Sequence, residues 1–127
     1  MKYTVDKQEK YILVQLNESK LDSTISPQLK SEFVTLNAEG SKNIILDLSQ
    51  VKYIDSSGLS SILVGNRLCQ DSDGVFIVTS VSEHVMKLIK ISQLDTVFEL
   101  LPTVEEAVDA VFMSELENDL RTGEDQD

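Results

Sequence analysis

Two short, almost uninterrupted apolar runs constrain the fold of this chain more than any other feature. The first, NIILDL, occupies residues 43–48, and the second, VFIV, occupies residues 75–78. Runs of this length are typical of strands that are covered on both faces, as in a parallel sheet. The segment 56–70 between them has the apolar spacing of a helix, so the three segments predict a strand–helix–strand unit.

The remaining pattern extends this unit into an α/β layer structure with a partly parallel sheet. Two further strands are predicted over 2–6 and 11–16, and a polar loop over 17–24 contains one apolar anchor, Leu21. A helix is expected to start with Ser26 as N-cap and Pro27 as its first residue, and to end at Gly40. Ser82 is expected to cap a third helix, and Val97 and Phe98 to form a short strand. The last helix is expected to begin with a capping box that pairs Thr103 with Glu106.

Length and charge restrict the class of partner. The chain has 127 residues, which is enough for one domain with a core of its own, and we expect that domain to span 1–113. An acidic tail, 114–127, is expected to be disordered or to extend the last helix. The net charge of −11 repels nucleic acid and anionic membranes, so a basic protein surface or a cationic helix is the favoured partner.

The sequence also indicates a cytoplasmic, soluble protein. A single cysteine, Cys69, excludes an internal disulfide and fits a reducing compartment. The first six residues, MKYTVD, carry no signal-peptide core, and no apolar run approaches the roughly 20 residues of a membrane span. We therefore expect no direct membrane insertion.

The junction after the first apolar run is the candidate site. A buried strand leads to a polar segment, DSSGL at 55–59, and a helix begins there with Ser56 or Ser57 as its expected cap. Sites of open α/β sheets usually lie beyond the carboxyl ends of the strands. A phosphate on a serine here would lie at a helix N-terminus, where free N–H groups and the helix dipole stabilise it.

Two stretches carry a family resemblance. DLSQVKYIDSSGL at 47–59 closely resembles the signature of the STAS domain family, in particular that of bacterial anti-sigma factor antagonists. LDTVFEL at 94–100, followed by TVEEA at 103–107, is similar to a second element of that family. The resemblance covers about 2–112 and implies the STAS-domain fold, a mixed sheet of about four to five strands covered by about four helices.

In that family the second serine of the DSSGL run is phosphorylated by an anti-sigma factor that is also a serine kinase, and Ser57 matches it. The resemblance implies that the unphosphorylated protein binds this partner and frees a sigma factor, that phosphorylation ends the binding, and that a serine phosphatase restores it. It implies no enzymatic activity and no cofactor. We expect no metal site either, because His84 and Cys69 have no ligand spacing around them. The residues expected to contact the partner are Asp22, Ser23, Asp55, Ser56, Gly58, Leu59 and Ser61.

One stretch departs from the family pattern. Leu21-Asp22 matches a Leu-Asp pair of the family that commonly follows a glycine, whereas 17–20 reads NESK and contains none. The shape of this turn, and with it the role of Asp22, is not fixed by the resemblance.

Three alternative functions are also compatible with parts of the sequence. A STAS subunit of a transporter or lipid-transport assembly would keep the fold and change the partner. A receiver domain would use Asp55 as a phosphoaspartate but would need an acidic pair and a late lysine that the sequence does not convincingly supply. A hydrolase would pair Ser57 with His84, although no G-x-S-x-G elbow surrounds Ser57.

Overall fold

The computed structural model describes the backbone of residues 1–125 and the side chains of residues 1–121. Strands and helices alternate through most of this part of the chain, as the apolar runs predicted. The strands are β1 (Tyr3–Lys7), β2 (Ile12–Leu16), β3 (Lys20–Leu21), β4 (Ile44–Asp47), β5 (Tyr53–Ile54), β6 (Phe76–Thr79) and β7 (Glu99–Leu101). The α-helices are α1 (Ser26–Ala38), α2 (Ser56–Asp71), α3 (Glu83–Ile91) and α4 (Val104–Asp125), and a 3₁₀ turn spans Leu94–Thr96.

The main sheet has five strands in the order β1-β2-β4-β6-β7. β1 is antiparallel to β2, and every other neighbouring pair is parallel. Val14, Leu46 and Val78 lie side by side in the three central strands. The predicted α/β class, with a mixed sheet of about five strands and four helices, is confirmed.

The two faces of the sheet are covered unequally. Leu46 and Val78 point into the larger core, together with apolar side chains of α1, α2 and α3. Ile45 and Ile77 point to the other face, where Ala107 and other residues of α4 pack against them. All four residues of β4 and all four of β6 are buried, which explains why their sequences lack the alternation of a half-exposed strand.

A second, two-stranded sheet forms from β3 and β5, which the sequence did not predict. Lys20 pairs with Tyr53 and Leu21 with Ile54 in a parallel ladder. The Leu21 side chain is buried, as expected for the anchor of its loop. Strands of two residues have no detectable periodicity, so this pairing becomes visible only in the folded chain.

Two helix caps and the position of the last strand were predicted wrongly, whereas three other helix-end predictions are confirmed. The N-cap of α1 is Ile25, and Ser26 is the first residue of the helix. The N-cap of α2 is Asp55, not Ser56 or Ser57. The last strand is Glu99–Leu101, because Val97 belongs to the end of the 3₁₀ turn. The confirmed features are Gly40 after α1 with φ of 104°, the Ser82 cap of α3, and the Thr103 hydroxyl that accepts from the Glu106 N–H at 3.1 Å.

The last helix runs past the expected domain boundary. α4 continues from Val104 to Asp125, and the division of the chain at residue 113 stays a prediction. Residues 126 and 127, which belong to the segment expected to be disordered, lie outside the described residues. No helix in the described part of the chain is both long and apolar enough to cross a membrane.

Candidate functional site

The candidate site lies beyond the carboxyl ends of the parallel strands. β4 ends at Asp47, and its chain continues through a short loop into β5 and then directly into α2. Leu48 and Val51 anchor this loop because their side chains are fully buried. We call the exposed and half-exposed group Asp22, Ser23, Asp55, Ser56 and Ser57 the tip.

Asp55 is the structural centre of the tip. Its Oδ1 atom accepts a hydrogen bond from the Ser57 hydroxyl at 2.6 Å and another from the Gly58 N–H at 2.9 Å. The second bond satisfies one of the free N–H groups at the start of α2, as an N-cap does. One carboxylate oxygen therefore fixes both the helix start and the position of the Ser57 hydroxyl.

These contacts keep Asp55 ionised. The Ser57 hydroxyl, followed by the backbone N–H of Gly58, lowers the pKa of Asp55 from its ordinary value of 3.8, and the N–H groups of Ser57 and Ser23 act in the same direction. Hydrogen bonds that a carboxylate accepts stabilise its charged form. Asp55 thus carries a full negative charge at neutral pH beside the Ser57 hydroxyl.

The loop after β3 reaches the same place. The Asp55 N–H donates to the Leu21 carbonyl at 3.4 Å, which continues the β3–β5 ladder toward the tip. The Asp22 carboxylate accepts from the Thr24 N–H at 3.0 Å and from the Thr24 hydroxyl at 2.6 Å. Asp22 therefore shapes its own turn, an Asx turn, and the structure brings this turn beside Asp55.

Gly58 allows the close approach of α2 to the small sheet. A Cβ atom at this position would lie 2.6 Å from Ile54 Cγ1 and would also collide with the Leu21 carbonyl oxygen. Because backbone cannot move aside as a flexible side chain can, only glycine fits here. Gly58 is buried, so it positions the tip and offers little surface to a partner.

The predicted partner contacts divide into an exposed and a buried group. Ser56 and Ser23 are exposed, and Asp22, Asp55 and Ser57 are half-buried at the surface. Leu59 is 9% exposed and belongs to the core, and Ser61 is fully buried, with its hydroxyl donating to the Gly58 carbonyl at 2.6 Å. The structure therefore does not bring Ser61 to the surface that the tip presents.

Sequence reasoning missed two contributors to this geometry. Thr24 fixes the Asp22 turn, and the Leu21 carbonyl receives the N–H of Asp55. The spacing of Asp22 and Thr24, two residues apart, is the signal of an Asx turn that could have identified the first. No comparable signal exists for the second, because it depends on the pairing of β3 with β5.

The alternative sites are differently placed. His84 lies exposed in the first turn of α3. Within the described residues, no group of three or more His, Cys, Asp or Glu side chains is arranged to hold a metal ion. Cys69 is buried in the main core, and this burial raises the pKa of its thiol to about 12, so it remains a neutral thiol.

Two relatives share both sequence and extent with this chain. BtrV of Bordetella bronchiseptica, a candidate anti-sigma factor antagonist, is 27% identical over 110 residues, which cover 87% of this chain and 94% of BtrV. A solved structure of a candidate anti-sigma factor antagonist from Thermotoga maritima is 26% identical, with a TM-score of 0.77, and covers 86% of this chain and 93% of that one.

More distant solved structures share the fold alone. The cell fate determinant SpoIIAA of Bacillus, in its phosphorylated form, is 23% identical with a TM-score of 0.68, and the match covers 87% of this chain and 99% of that one. A sulfate transporter family protein from Wolinella succinogenes is 13% identical with a TM-score of 0.74, over 84% and 88% of the two chains. The STAS domain family model matches residues 2–107, and this chain belongs to the STAS domain family.

Proposed function

We propose that this protein is an anti-sigma factor antagonist whose binding to an anti-sigma factor is switched by phosphorylation of Ser57. The observation that carries the proposal is the half-exposed Ser57 hydroxyl, held 2.6 Å from the Asp55 carboxylate at the start of α2. The relatives named as anti-sigma factor antagonists support the general role. The proposal makes the protein a cytoplasmic regulator and assigns it no catalytic activity.

Two observations favour Ser57 over Ser56 as the phosphate acceptor. Ser57 is the second serine of the DSSGL run, and its hydroxyl is oriented by a charged hydrogen-bond acceptor. An oriented hydroxyl meets a kinase in one geometry, which reduces the entropy that must be lost before phosphoryl transfer. Ser56 is more exposed, but position and not exposure alone is what in-line transfer requires.

The proposed reaction is ordinary phosphoryl transfer from ATP bound to the partner kinase. A bond forms between Ser57 Oγ and the γ-phosphorus while the bond from that phosphorus to ADP breaks, and the hydroxyl proton passes to a base of the kinase. A serine phosphatase reverses the state by hydrolysis. Neither step needs a cofactor or a metal ion bound to this chain.

Phosphorylation would change the tip in two ways. It removes the O–H that donates to Asp55 at 2.6 Å, and it adds about −1.5 to −2 charge units beside a carboxylate that is already ionised. The N–H groups at the start of α2 can stabilise part of that charge, so the fold need not change. A partner that docks onto the tip must instead desolvate a dianion, and this cost opposes binding.

The experiment is a comparison of four variants. Ser57→Ala should bind the kinase partner constitutively, whereas Ser57→Asp should bind weakly or not at all, because it adds a negative charge at the docking surface. Ser56→Ala and Ser56→Asp are the matched controls one residue away. Binding is measured by titration calorimetry against anti-sigma factor kinases of the histidine-kinase-like ATP-binding class from the same organism.

Equal binding by Ser57→Ala and Ser57→Asp would contradict the switch, and so would an equal loss in Ser56→Asp. A pull-down that recovers the ATPase of a transporter in place of such a kinase would favour the transport-assembly role. Phosphate that is lost in mild base or hydroxylamine would indicate an acyl phosphate on Asp55 and would contradict phosphoserine.

A further inference from the structure

The second half of α4 exposes an apolar stripe. Phe112, Met113, Leu116 and Leu120 are 49%, 57%, 52% and 61% exposed. Their spacing of one, four and eight residues places them on one face of the helix, away from the face that carries Ala107 and Val111 into the core. Contiguous apolar surface of this kind on a folded protein usually marks an interaction site.

The helix is fixed so that this stripe faces outward. The Glu115 carboxylate, on the inward side, accepts from Asn43 Nδ2 at 2.6 Å and pairs with Lys42 Nζ at 3.5 Å. The ring of Phe112 meets the ring of Tyr11 edge-on at 6.5 Å between centroids. With Glu115 anchored against the amino end of β4, α4 cannot rotate to bury Leu116 in its own core.

Acidic side chains surround the stripe. Residues 104–121 contain six acidic residues and one basic residue. Asp119 lies along one border of the stripe and Glu117 along the other. Asp109 lies one turn nearer the N-terminus, and all three side chains are exposed. The exposed face of α4 around the stripe therefore carries mainly negative charge, while Lys42 pairs with the inward Glu115.

This charge pattern identifies the occupant. A second copy of the chain would bring the same acidic borders together, with a net charge of −11 on each copy, and an anionic membrane would be repelled in the same way. A segment with apolar residues at helical spacing and lysine or arginine on its flanks satisfies both features at once. We propose that the stripe Phe112, Met113, Leu116 and Leu120 is a docking surface for a basic amphipathic helix of a partner protein.

The surface is separate from the tip. Glu115 is tied to Asn43 before β4, so this part of α4 passes the amino ends of the parallel strands, whereas the tip lies beyond their carboxyl ends. Both surfaces can be occupied together. The inference therefore does not rest on the phosphorylation of Ser57.

The test uses the full chain and a defined probe. The probe is a synthetic helix of about 18 residues with leucine at helical spacing and lysine elsewhere. Its controls are a scrambled peptide of the same composition and a peptide with glutamate in place of lysine. Fluorescence anisotropy is expected to give micromolar binding for the amphipathic lysine peptide only, and binding that weakens as salt rises from about 0.05 to 0.5 M.

The decisive variant removes apolar contacts and adds two negative charges, so any loss of binding to a lysine peptide must come from the lost apolar contacts. Leu116→Glu combined with Leu120→Glu should weaken peptide binding at least about tenfold. Ile91→Glu, at the exposed end of α3, is the matched control and should leave binding unchanged; circular dichroism checks that each variant is folded. Equal weakening by Ile91→Glu, or equal binding of the scrambled peptide, would overturn the proposal. A wild-type dimer in sedimentation that the double variant dissociates would also overturn it, because the occupant would then be a second copy.

Discussion

The tip and the α4 stripe lie at opposite ends of the parallel strands, and their side chains are held in place in different ways. At the tip, polar side chains are fixed by backbone groups: Asp55 caps α2 and positions the Ser57 hydroxyl. At the stripe, the outward side chains have few contacts, and the helix is fixed from behind by Glu115 and Asn43. The tip is therefore suited to a change of charge, and the stripe to burial of apolar area.

The two regions also differ in the contact on which each depends, and so in the substitution that would disturb it. The tip depends on a close backbone approach that tolerates no added atom, whereas the stripe depends on one buried amide that links three segments. Substitutions at Gly58 and at Asn43 should therefore disturb one region each and leave the other intact.

The largest expected effect is at Gly58. Gly58→Ala places a Cβ 2.6 Å from Ile54 Cγ1 and against the Leu21 carbonyl, so α2 must move away from the small sheet. We expect the free energy of unfolding to fall by about 2–3 kcal/mol in urea denaturation. Ser60→Ala, exposed on the same helix, should change it by less than about 0.5 kcal/mol.

Amide exchange measures where the Gly58 variant is disturbed. Faster exchange is expected for amides of β3, β5 and the first turn of α2, and unchanged exchange for the second half of α4. Faster exchange in both regions would show that the tip and the stripe are not independent units.

Asn43→Ala should have the next largest effect. The buried Asn43 amide donates to the Lys10 carbonyl at 2.9 Å and to Glu115, and its oxygen accepts from the Val75 N–H at 2.9 Å. Loss of these bonds leaves polar groups without their protein partner, and we expect a destabilisation of about 2 kcal/mol. Asn17→Ala, an exposed asparagine, is the control in the same denaturation experiment.

The Asn43 variant should affect the regions in the opposite order to the Gly58 variant. Exchange should speed up in the second half of α4 and stay slow at the start of α2. A stripe that remains fully protected without Asn43 would contradict its proposed anchoring.

Asp55→Ala removes the cap of α2. Because one N–H at the helix start loses its acceptor, stability should fall by about 1 kcal/mol, and the Ser57 hydroxyl should lose its fixed orientation. Ser56→Ala should have no comparable effect in the same thermal or urea measurement. An Asp55→Ala variant as stable as the wild type would exclude Asp55 as the cap.

The smallest effect is the response of each region to acid. The Asn43 amide, and then Lys42, lowers the pKa of Glu115 from its ordinary value of 4.5, as the Ser57 hydroxyl and Gly58 N–H do for Asp55 from 3.8. A group whose pKa is lowered by folding stabilises the protein above its unfolded pKa, and that contribution is lost as pH falls through the folded pKa. The anchor of α4 should therefore begin to weaken below about pH 4.5, and the tip only below about pH 3.8.

Carboxyl titration by NMR measures both groups in one sample. Glu115→Gln should flatten the dependence of the unfolding free energy on pH below about pH 4.5. Asp55→Asn should flatten it only below about pH 3.8. A Glu115 that titrates at its ordinary pKa would contradict the contact with Asn43.

Much of the fold was predictable because the signals were local. The uninterrupted apolar runs at 43–48 and 75–78 predicted the central strands β4 and β6, and the helical spacing after residue 55 predicted α2. The small sheet was not predictable, since strands of two residues form only when distant segments meet.

The site shows the same limit at the level of single side chains. Serine and aspartate are comparable N-caps, so sequence alone did not separate Asp55 from Ser56 and Ser57. Small helix residues fit equally well against a partner or inside a core, and the structure buries Ser61. The burial of Ser61 depends on which face of α2 meets the sheet.

The most direct test of the central claim is phosphate mapping followed by binding. The protein is incubated with ATP and candidate anti-sigma factor kinases, its intact mass is measured, and the modified residue is located by peptide mass spectrometry. We expect one added phosphate on Ser57 and, in calorimetry, loss of binding of the modified protein to that kinase. A phosphate on Ser56, or a Ser57 phosphoprotein that binds as tightly as the unmodified one, would contradict it.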